Sequence, residues 1–288
     1  MTAHDRRLTP ARPDLAAEAL RGQIEAPRYS PGLPRRVVAP SAPLRRRPAP
    51  DAPLDTEALM GEAVTVFDEG AGYSWVQLAA DGYVGYLPSS VLGEAGPAPT
   101  HRVRALRTFI YPGPNLKLPP TGFLSLGAGV TAAGELENGY LPLATGGYVA
   151  ARHLRPDEAP EPDFVAVAER LLGAPYLWGG KTSLGLDCSG LVQLALAQAG
   201  IAAPRDSDQQ EHSLGDQISA QDLAGLRRGD LIFWRGHVGL MLDGTRLLHA
   251  NGHHMAVAVE TLSEAELRIR QNSYGPITTL RRLPALGA

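Results

Sequence analysis

Cysteine is almost absent from this sequence, since Cys188 is the only one among 288 residues. A disulfide within the chain and a zinc site built from several cysteines are therefore excluded. The sequence also lacks a run of 18 apolar residues, so it predicts no membrane insertion. Its first twenty residues contain no apolar stretch typical of a secretory signal. Together these absences predict a cytoplasmic protein.

An excess of charge of one sign is missing as well, because 27 Lys and Arg residues face 30 Asp and Glu residues, for a net charge of −3. This balance gives no electrostatic reason to expect a nucleic-acid partner. The basic stretch RRRPAPDAP (45–53) is predicted to be solvated surface. The loop WGGK (178–181) lacks the spacing of a phosphate-binding loop, and we expect no cofactor.

Proline is unevenly distributed, with 10 of the 25 prolines in residues 1–54. Such density opposes helices and central strands. The sequence therefore predicts an extended N-terminal arm over residues 1–37, with one short helix at about 13–21. The composition does not indicate whether this arm is ordered.

Two stretches, 38–95 and 100–156, share one pattern of an apolar opening, a Pro-rich loop, an acidic-Gly turn and a closing G-Y-V. Short alternating strands separated by Gly and Pro are typical of small β-barrels. The phrase EAPEPD (158–163) is predicted to be a linker.

Residues 160–288 differ in character. The segment DFVAVAERLLG has helical spacing that ends at Gly173, and a second helix is predicted at about 188–199, closed by Gly200. The later apolar runs LIFW, HVGLML, RLLHA and ITTLRRL are predicted strands. Helices followed by strands indicate an α+β domain with an antiparallel sheet.

The surroundings of Cys188 decide between an inert buried cysteine and a nucleophile. Asp187 is suited to cap the second helix, which puts Cys188 in the first helical turn. Unpaired N–H groups and the helix dipole favour a thiolate there. Ser189 and Gly190 are small and leave room for a substrate. We predict a nucleophile, with Asp187 either a cap alone or also a ligand for a substrate amine.

Two histidines in apolar strands, His237 and His249, flank the turn at Asp243–Gly244. A two-residue loop would pair residue 238 with 249 and put the histidines on opposite faces. A three-residue loop with Gly244 in the left-handed conformation would pair 237 with 249 on one face. We favour the second loop, because two isolated histidines in apolar strands are best explained as a pair. The alternative is two independently hydrogen-bonded histidines.

These residues suggest nucleophilic catalysis on an amide. His237 would accept the proton of Cys188 or pair with its thiolate as imidazolium, and His249 would orient His237. The Cys188 backbone N–H would stabilise the oxyanion. The hydroxyl of Tyr176 is a second donor or only a wall of the pocket. We expect no metal, because HANGHH (249–254) lacks a complete set of tetrahedral ligands.

The segments GAPYLWGGKTSLGLDCSGLVQ, GHVGLML and LLHANG resemble the NlpC/P60 family of papain-like cysteine peptidases. The resemblance implies that Cys188, His237 and His249 are catalytic. It also implies substrate contacts for the residues next to the nucleophile and in the motifs APYLWGG and PRDSDQQ, namely Tyr176, Trp178, Asp187, Ser189, Arg205, Asp206 and Ser207.

The two predicted barrels resemble bacterial SH3-like domains. In this order the three domains are similar to γ-D-glutamyl-L-diamino acid endopeptidases of murein peptide recycling. The resemblance implies a substrate L-Ala-γ-D-Glu-diaminopimelate, cut after D-Glu, whose free amine meets Glu62 and Tyr86 of the first SH3-like domain. Ordinary barrel surface is the alternative for both residues. Met60 stands where the family is expected to have Tyr, and would alter the cleft.

Two other functions remain open. One is a papain-like amidase or acyltransferase acting on another amide or ester. The other is a catalytically inactive peptidoglycan-binding module. The oligomeric state is not indicated by the sequence.

Overall fold

A computed structural model describes residues 4–219 and 223–284. The chain divides into two compact units, Met1–Ala159 and Pro160–Ala288. The first three residues of the predicted arm and the last four of the predicted third domain lie outside the described residues.

The N-terminal segment forms a small sheet of β1 (Ala11–Arg12), β2 (Leu15–Ala17) and β3 (Tyr29–Ser30). The helix predicted at about 13–21 is wrong, since only a 3-10 turn occurs there, at Glu18–Leu20. The backbone N–H of Ala16 donates instead to Arg28, and β2 is buried along its length. The segment is ordered and bound to the next domain, because the Arg12 guanidinium lies 4.8 Å from the ring centre of Trp75.

The first barrel, residues 33–94, is one antiparallel sheet in the order β10-β4-β7-β8-β9-β5-β6. Its strands are β4 (Leu33–Val37), β5 (Ser41–Arg45), β6 (Leu54–Leu59), β7 (Ala63–Gly70), β8 (Tyr73–Leu78), β9 (Val84–Pro88) and β10 (Leu92–Glu94). The end of the predicted arm therefore contributes β4. Pro34 is tolerated there because β10 pairs only with residues 35–37 of β4.

The second barrel, residues 101–156, has three smaller antiparallel sheets. Its strands are β11 (His101–Val103), β12 (Arg107–Ile110), β13 (Gly122–Ser125), β14 (Gly129–Val130), β15 (Tyr140–Pro142), β16 (Tyr148–Ala150) and β17 (Leu154–Pro156).

The two barrels share a contact at Met60. Its side chain is buried in the apolar core of the second barrel, beside Val103 and Leu124, and its carbonyl accepts from Gly129 N at 2.7 Å. Gly61 follows with φ of +83°, and a Cβ there would lie 2.5 Å from Gly129 O. The Met60 side chain fills a hydrophobic core, and its expected effect on a substrate cleft stays a prediction.

The C-terminal unit packs helices on a six-stranded antiparallel sheet in the order β20-β25-β21-β22-β23-β24. Its elements are α1 (Phe164–Glu169), β18 (Lys181–Thr182), β19 (Gly185–Leu186), α2 (Cys188–Gln198), α3 (Ser207–Ser213), β20 (Asp216–Ile218), β21 (Leu231–Trp234), β22 (His237–Met241), β23 (Arg246–Asn251), β24 (Ala256–Thr261), α4 (Leu262–Asn272) and β25 (Thr279–Arg282). The predicted α+β class is confirmed.

Helix α2 begins and ends close to the predicted positions. Asp187 caps it, and Gly200 beyond its end has φ of +75°. Ten of its eleven residues are buried, which explains why the helix is apolar on every side. The helix therefore holds Cys188 at a fixed point of the domain interior.

Candidate active site

Cys188 is the first residue of α2 and is buried. The Asp187 carboxylate accepts from the backbone N–H of Gly190 at 2.7 Å and so fixes the turn that carries the thiol. The turn also approaches the preceding loop closely, because a Cβ on Gly190 would lie 2.2 Å from Gly180 O. The thiol lies against the backbone of Val238, with which it forms a hydrogen bond.

Asp187 is bound inside the protein by Arg205. The two terminal guanidinium nitrogens of Arg205 donate to the two carboxylate oxygens at 2.9 and 2.7 Å, and Gly179 N donates at 2.8 Å. Arg205 also donates to Ser189 Oγ at 3.0 Å. Arg205 is 1% exposed. Asp187, Ser189 and Arg205, predicted as substrate contacts, thus form a buried cluster around the start of α2, next to Cys188.

Asp206 and Ser207 begin helix α3. Asp206 caps it in a reciprocal arrangement with Gln209, and Ser207 is buried. Gln210, which the sequence did not single out, donates to Ser189 O at 3.0 Å. Helix α3 therefore contacts the first turn of α2 through Gln210 and helps to hold that turn in place.

The rings of His237 and His249 form a hydrogen bond, with His237 Nε2 and His249 Nδ1 2.8 Å apart. The predicted register is nevertheless wrong. Strands β22 and β23 pair Leu240 with Leu248, so His249 falls opposite residue 239 and lies diagonal to His237 on the same face.

The loop between these strands explains the shifted register. Leu242 N donates to Arg246 O, which leaves three loop residues, 243–245. The Asp243 carboxylate accepts from the backbone N–H groups of Thr245 and Arg246, both at 2.8 Å. Gly244 is not in the left-handed conformation. The side chain of Asp243, rather than a glycine conformation, therefore forms the turn.

A carboxylate continues the row beyond His249. Glu260 Oε1 lies 2.7 Å from His249 Nε2, and the Arg268 guanidinium of α4 pairs with the same oxygen. Strands β23 and β24 pair Leu247 with Glu260, which makes Glu260 the diagonal neighbour of His249. Glu260 was not predicted from the sequence. The alternation Ala256, Ala258, Glu260 in β24 was the available signal.

Aromatic rings surround His237. Tyr274 stacks on its ring with 5.4 Å between centroids and 6° between planes, and Trp234 lies 5.7 Å away. Tyr274 was also missed, since it lies in the loop after α4, where no pattern marks it. Burial raises the pKa of Tyr176, and the neighbouring Cys188 and Asp187 raise it further. Trp178 is 66% exposed.

Burial favours the neutral forms of both Cys188 and His237. Burial, followed by the charge of Asp187, raises the pKa of Cys188 to about 12. Burial, followed by the charges of His249 and Arg268, lowers the pKa of His237 to about 3. The expected stabilisation of a thiolate by the helix start is outweighed by burial. Of the two predicted roles of His237, this favours the acceptance of a thiol proton.

Glu62 and Tyr86 belong to the N-terminal compact unit. The Tyr86 hydroxyl accepts from Arg12 at 3.4 Å. A pocket of about 220 Å³ beside it is lined by Arg6, Arg7, Arg12 and Arg46, with Asp55 as the acidic member. Arg12 also pairs with Asp14 and Asp68, and Arg46 pairs with Asp55, so carboxylates balance these guanidinium charges. Glu62 is partly exposed and carries a backbone bond, from Val37 N to its carbonyl at 3.0 Å.

The described residues include no group of three or more His, Cys, Asp or Glu side chains arranged to hold a metal ion. In HANGHH, His254 Nδ1 instead lies 3.0 Å from Asn251 Oδ1. Among the helices in the described parts of the chain, none is long and apolar enough to cross a membrane.

Comparison with known proteins identifies the family. A sequence model of the NlpC/P60 family matches residues 173–273, and one of the bacterial dipeptidyl-peptidase Sh3 domain matches residues 44–92. Dipeptidyl-peptidase 6 of Lysinibacillus sphaericus is 30% identical over 219 residues, which are 76% of this chain and 78% of the relative. The chain belongs to the NlpC/P60 family.

Other NlpC/P60 proteins agree with this assignment. A γ-D-glutamyl-L-lysine dipeptidyl-peptidase of Bacillus subtilis is 29% identical over 245 residues, 74% of this chain and 78% of the relative. The crystal structure of an NlpC/P60 family protein from Bacillus cereus superposes with a TM-score of 0.70 and 20% identity, covering 87% of this chain and all of the other. At that identity the structure shows the fold alone. The predicted SH3-like and NlpC/P60 folds are confirmed, and the family makes the protein a hydrolase.

Proposed function

We propose that the protein is a cysteine endopeptidase that hydrolyses the γ-D-Glu–L-diamino acid bond of peptidoglycan peptides carrying a free N-terminal L-Ala. The observation that carries the proposal is the pair His237 and His249, 2.8 Å apart, together with the hydrogen bond between the backbone of Val238, the residue after His237, and the Cys188 thiol. The name of the Bacillus subtilis relative, a γ-D-glutamyl-L-lysine dipeptidyl-peptidase, supports the choice of bond.

The proposed reaction begins from a neutral thiol and a neutral imidazole. His237 takes the Cys188 proton while the sulfur attacks the amide carbon, and a C–S bond forms. The negative charge on the former carbonyl oxygen is met by the Cys188 backbone N–H, which has no acceptor within the helix. The Tyr176 hydroxyl, protonated across the neutral range, is the proposed second donor.

Collapse of this intermediate breaks the C–N bond. His237 gives its proton to the leaving amine, and a thioester remains on Cys188. His237 then removes a proton from water, whose oxygen attacks the thioester carbon. The thiolate leaves and regains the proton, which restores the enzyme and releases L-Ala-D-Glu.

The free-amine requirement and the place of action are finer parts of the proposal. Recognition of the amine by Glu62 and Tyr86 rests on the family resemblance. Diaminopimelate in the third position, cytoplasmic location and a role in murein recycling stay predictions from the sequence. The name of the Bacillus subtilis relative specifies lysine, so the test includes both the diaminopimelate peptide and the lysine peptide.

The test is cleavage of L-Ala-γ-D-Glu-meso-diaminopimelate and of its L-Lys counterpart by the purified protein. We expect release of L-Ala-D-Glu by the wild type, none by Cys188→Ala, and none from the N-acetylated peptides. Glu62→Gln should raise KM for the free peptide, whereas Glu94→Gln on the exposed end of β10 should not. Cleavage of acetylated and free peptides at equal rates would refute the amine requirement. No cleavage of any peptide would refute the proposed bond.

A further inference from the structure

Four side chains, from His237 through His249 and Glu260 to Arg268, form a continuous row of polar contacts. From His237 Nε2 to His249 Nδ1 the distance is 2.8 Å, and from His249 Nε2 to Glu260 Oε1 it is 2.7 Å. Arg268, two turns along α4, pairs with the same Glu260 oxygen. His249 is fully buried, so no solvent competes for its ring nitrogens.

The donor and the acceptor of each hydrogen bond in this row follow from the Glu260 carboxylate at its far end. An ionised carboxylate only accepts, so His249 Nε2 must carry a hydrogen. A neutral imidazole has one donor and one acceptor nitrogen, so His249 Nδ1 accepts. The 2.8 Å contact then requires the hydrogen of His237 to be on Nε2. The Nδ1 of His237 is left with its lone pair.

We propose that Glu260, paired with Arg268, is a positioning residue that sets the tautomers of His249 and His237, so that Nδ1 of His237 is free to accept the Cys188 proton. This inference rests on the proposed function for the identity of the base. It adds two residues, on β24 and α4, that touch neither the thiol nor the base directly.

Arg268 has its own part in the row. A protonated Glu260 would donate to His249 Nε2 and reverse both hydrogen bonds, leaving a hydrogen on His237 Nδ1 where the base must be vacant. Burial alone would raise the pKa of Glu260, but the hydrogen bond and charge of His249, then Arg268 and His254, lower it. These are the charged and titratable groups that face Glu260. The row therefore keeps one direction across the neutral range.

Substitutions at Glu260 separate this role from a structural one. In Glu260→Ala the Arg268 guanidinium is left facing His249 Nε2. Because a guanidinium only donates, Nε2 must accept, and the hydrogen bond between His249 and His237 then reverses its direction. In Glu260→Gln the amide oxygen still accepts from Nε2–H and from Arg268. We expect kcat to fall about 100-fold or more in Glu260→Ala with KM within about threefold, and most activity to persist in Glu260→Gln. The double variant Glu260→Ala/Arg268→Ala should recover part of the loss.

The matched control is Glu266→Gln on the adjoining helix α4, whose carboxylate pairs with Arg270 at 3.4 Å. It makes the same Glu-to-Gln change at a carboxylate that also pairs with an arginine, and should leave kcat unchanged. Thermal unfolding of each variant verifies that the fold is intact.

The decisive measurement is the 15N chemical shift of the imidazole nitrogens in histidine-labelled protein, assigned with His237→Gln and His249→Gln. We expect protonated Nε2 on both rings in the wild type and in Glu260→Gln, and protonated Nδ1 in Glu260→Ala. A wild-type His237 protonated on Nδ1, or unchanged tautomers in Glu260→Ala, would overturn the inference.

Alkylation of Cys188 by iodoacetamide gives a readout that needs no substrate, since the chain has one thiol. Its rate should fall in Glu260→Ala and be retained in Glu260→Gln; equal rates in the two variants would count against the inference. If the wild type cleaves no murein peptide, the proposed function fails, while the tautomers and the alkylation rates still decide the role of Glu260.

Discussion

Arg205 donates to both carboxylate oxygens of Asp187, at 2.7 and 2.9 Å, directly beneath the cysteine that follows Asp187 in the chain. Both side chains are buried, and the same guanidinium reaches Ser189 Oγ and Gly180 O. The ion pair thus joins the loop before α2, the start of α2 and the segment before α3. The carboxylate that would repel a thiolate is matched by a cation within the same cluster.

Removal of Arg205 should destabilise the C-terminal unit strongly. Arg205→Ala leaves the Asp187 carboxylate buried without its partner, and we expect the free energy of unfolding to drop by about 3–5 kcal/mol. Arg228→Ala is the control, because Arg228 pairs with Asp163 and Glu169 in exposed positions and should cost less than about 1 kcal/mol. Urea unfolding of both variants measures the difference, and equal losses would show that the buried pair adds no stability.

Acid should weaken the fold through His237. Burial lowers the pKa of His237 from 6.5 to about 3, so between these values the unfolded chain binds a proton that the folded chain does not. The resulting stability is complete above pH 6.5 and is lost as pH falls through this window. The free energy of unfolding of the wild type, relative to His237→Gln, should therefore decline from pH 7 to pH 4. A flat difference between the wild type and His237→Gln over this range would contradict the prediction.

Gly190→Ala should disturb the turn that carries Cys188. In a helix this change normally stabilises by about 1 kcal/mol. Here the new Cβ would meet Gly180 O at 2.2 Å and Asp187 Oδ1 at 2.9 Å, so we expect a loss of about 1–3 kcal/mol and a lower kcat. Gly252→Ala has free space around its Cβ and serves as the control in thermal unfolding and peptide cleavage. A stabilised, fully active Gly190→Ala would show that the turn tolerates the shift.

The stacked ring of Tyr274 should help to hold His237 in plane. Tyr274→Phe keeps the 5.4 Å stack and should retain kcat, whereas Tyr274→Ala should lower kcat about 2- to 10-fold, as expected for the loss of one aromatic contact. Steady-state kinetics on the proposed peptide checks both. A comparable loss in Tyr274→Phe would instead assign the effect to the hydroxyl.

Local signals in the sequence predicted the parts of the site that depend on local structure. Asp187 indicated the start of α2 because a cap acts within a few residues. The shared face of His237 and His249 followed from strand alternation, but their register did not, since the Asp243 side chain rather than Gly244 shapes the loop. The catalytic roles of these residues stay predictions.

Contacts between distant elements were beyond the reach of sequence patterns. Glu260 joins the row through a diagonal neighbour across β23 and β24, and Tyr274 returns to His237 only after α4 has packed. The segment at about 13–21 failed as a helix for the same kind of reason. Its backbone groups bond to residues before and after it in a sheet that local propensity does not encode.

Met60 makes the stability of the two barrels interdependent. The side chain that completes the core of the second barrel is supplied by the first, and Gly129 of the second bonds to the Met60 carbonyl. Cutting the chain between the barrels would leave one core with a hole and the other with an exposed methionine. Recombination that exchanged either barrel alone would carry away part of the other's interior. The two barrels therefore form one structural unit that is expressed, engineered or inherited as a whole. Their sequence pattern alone suggests two interchangeable modules.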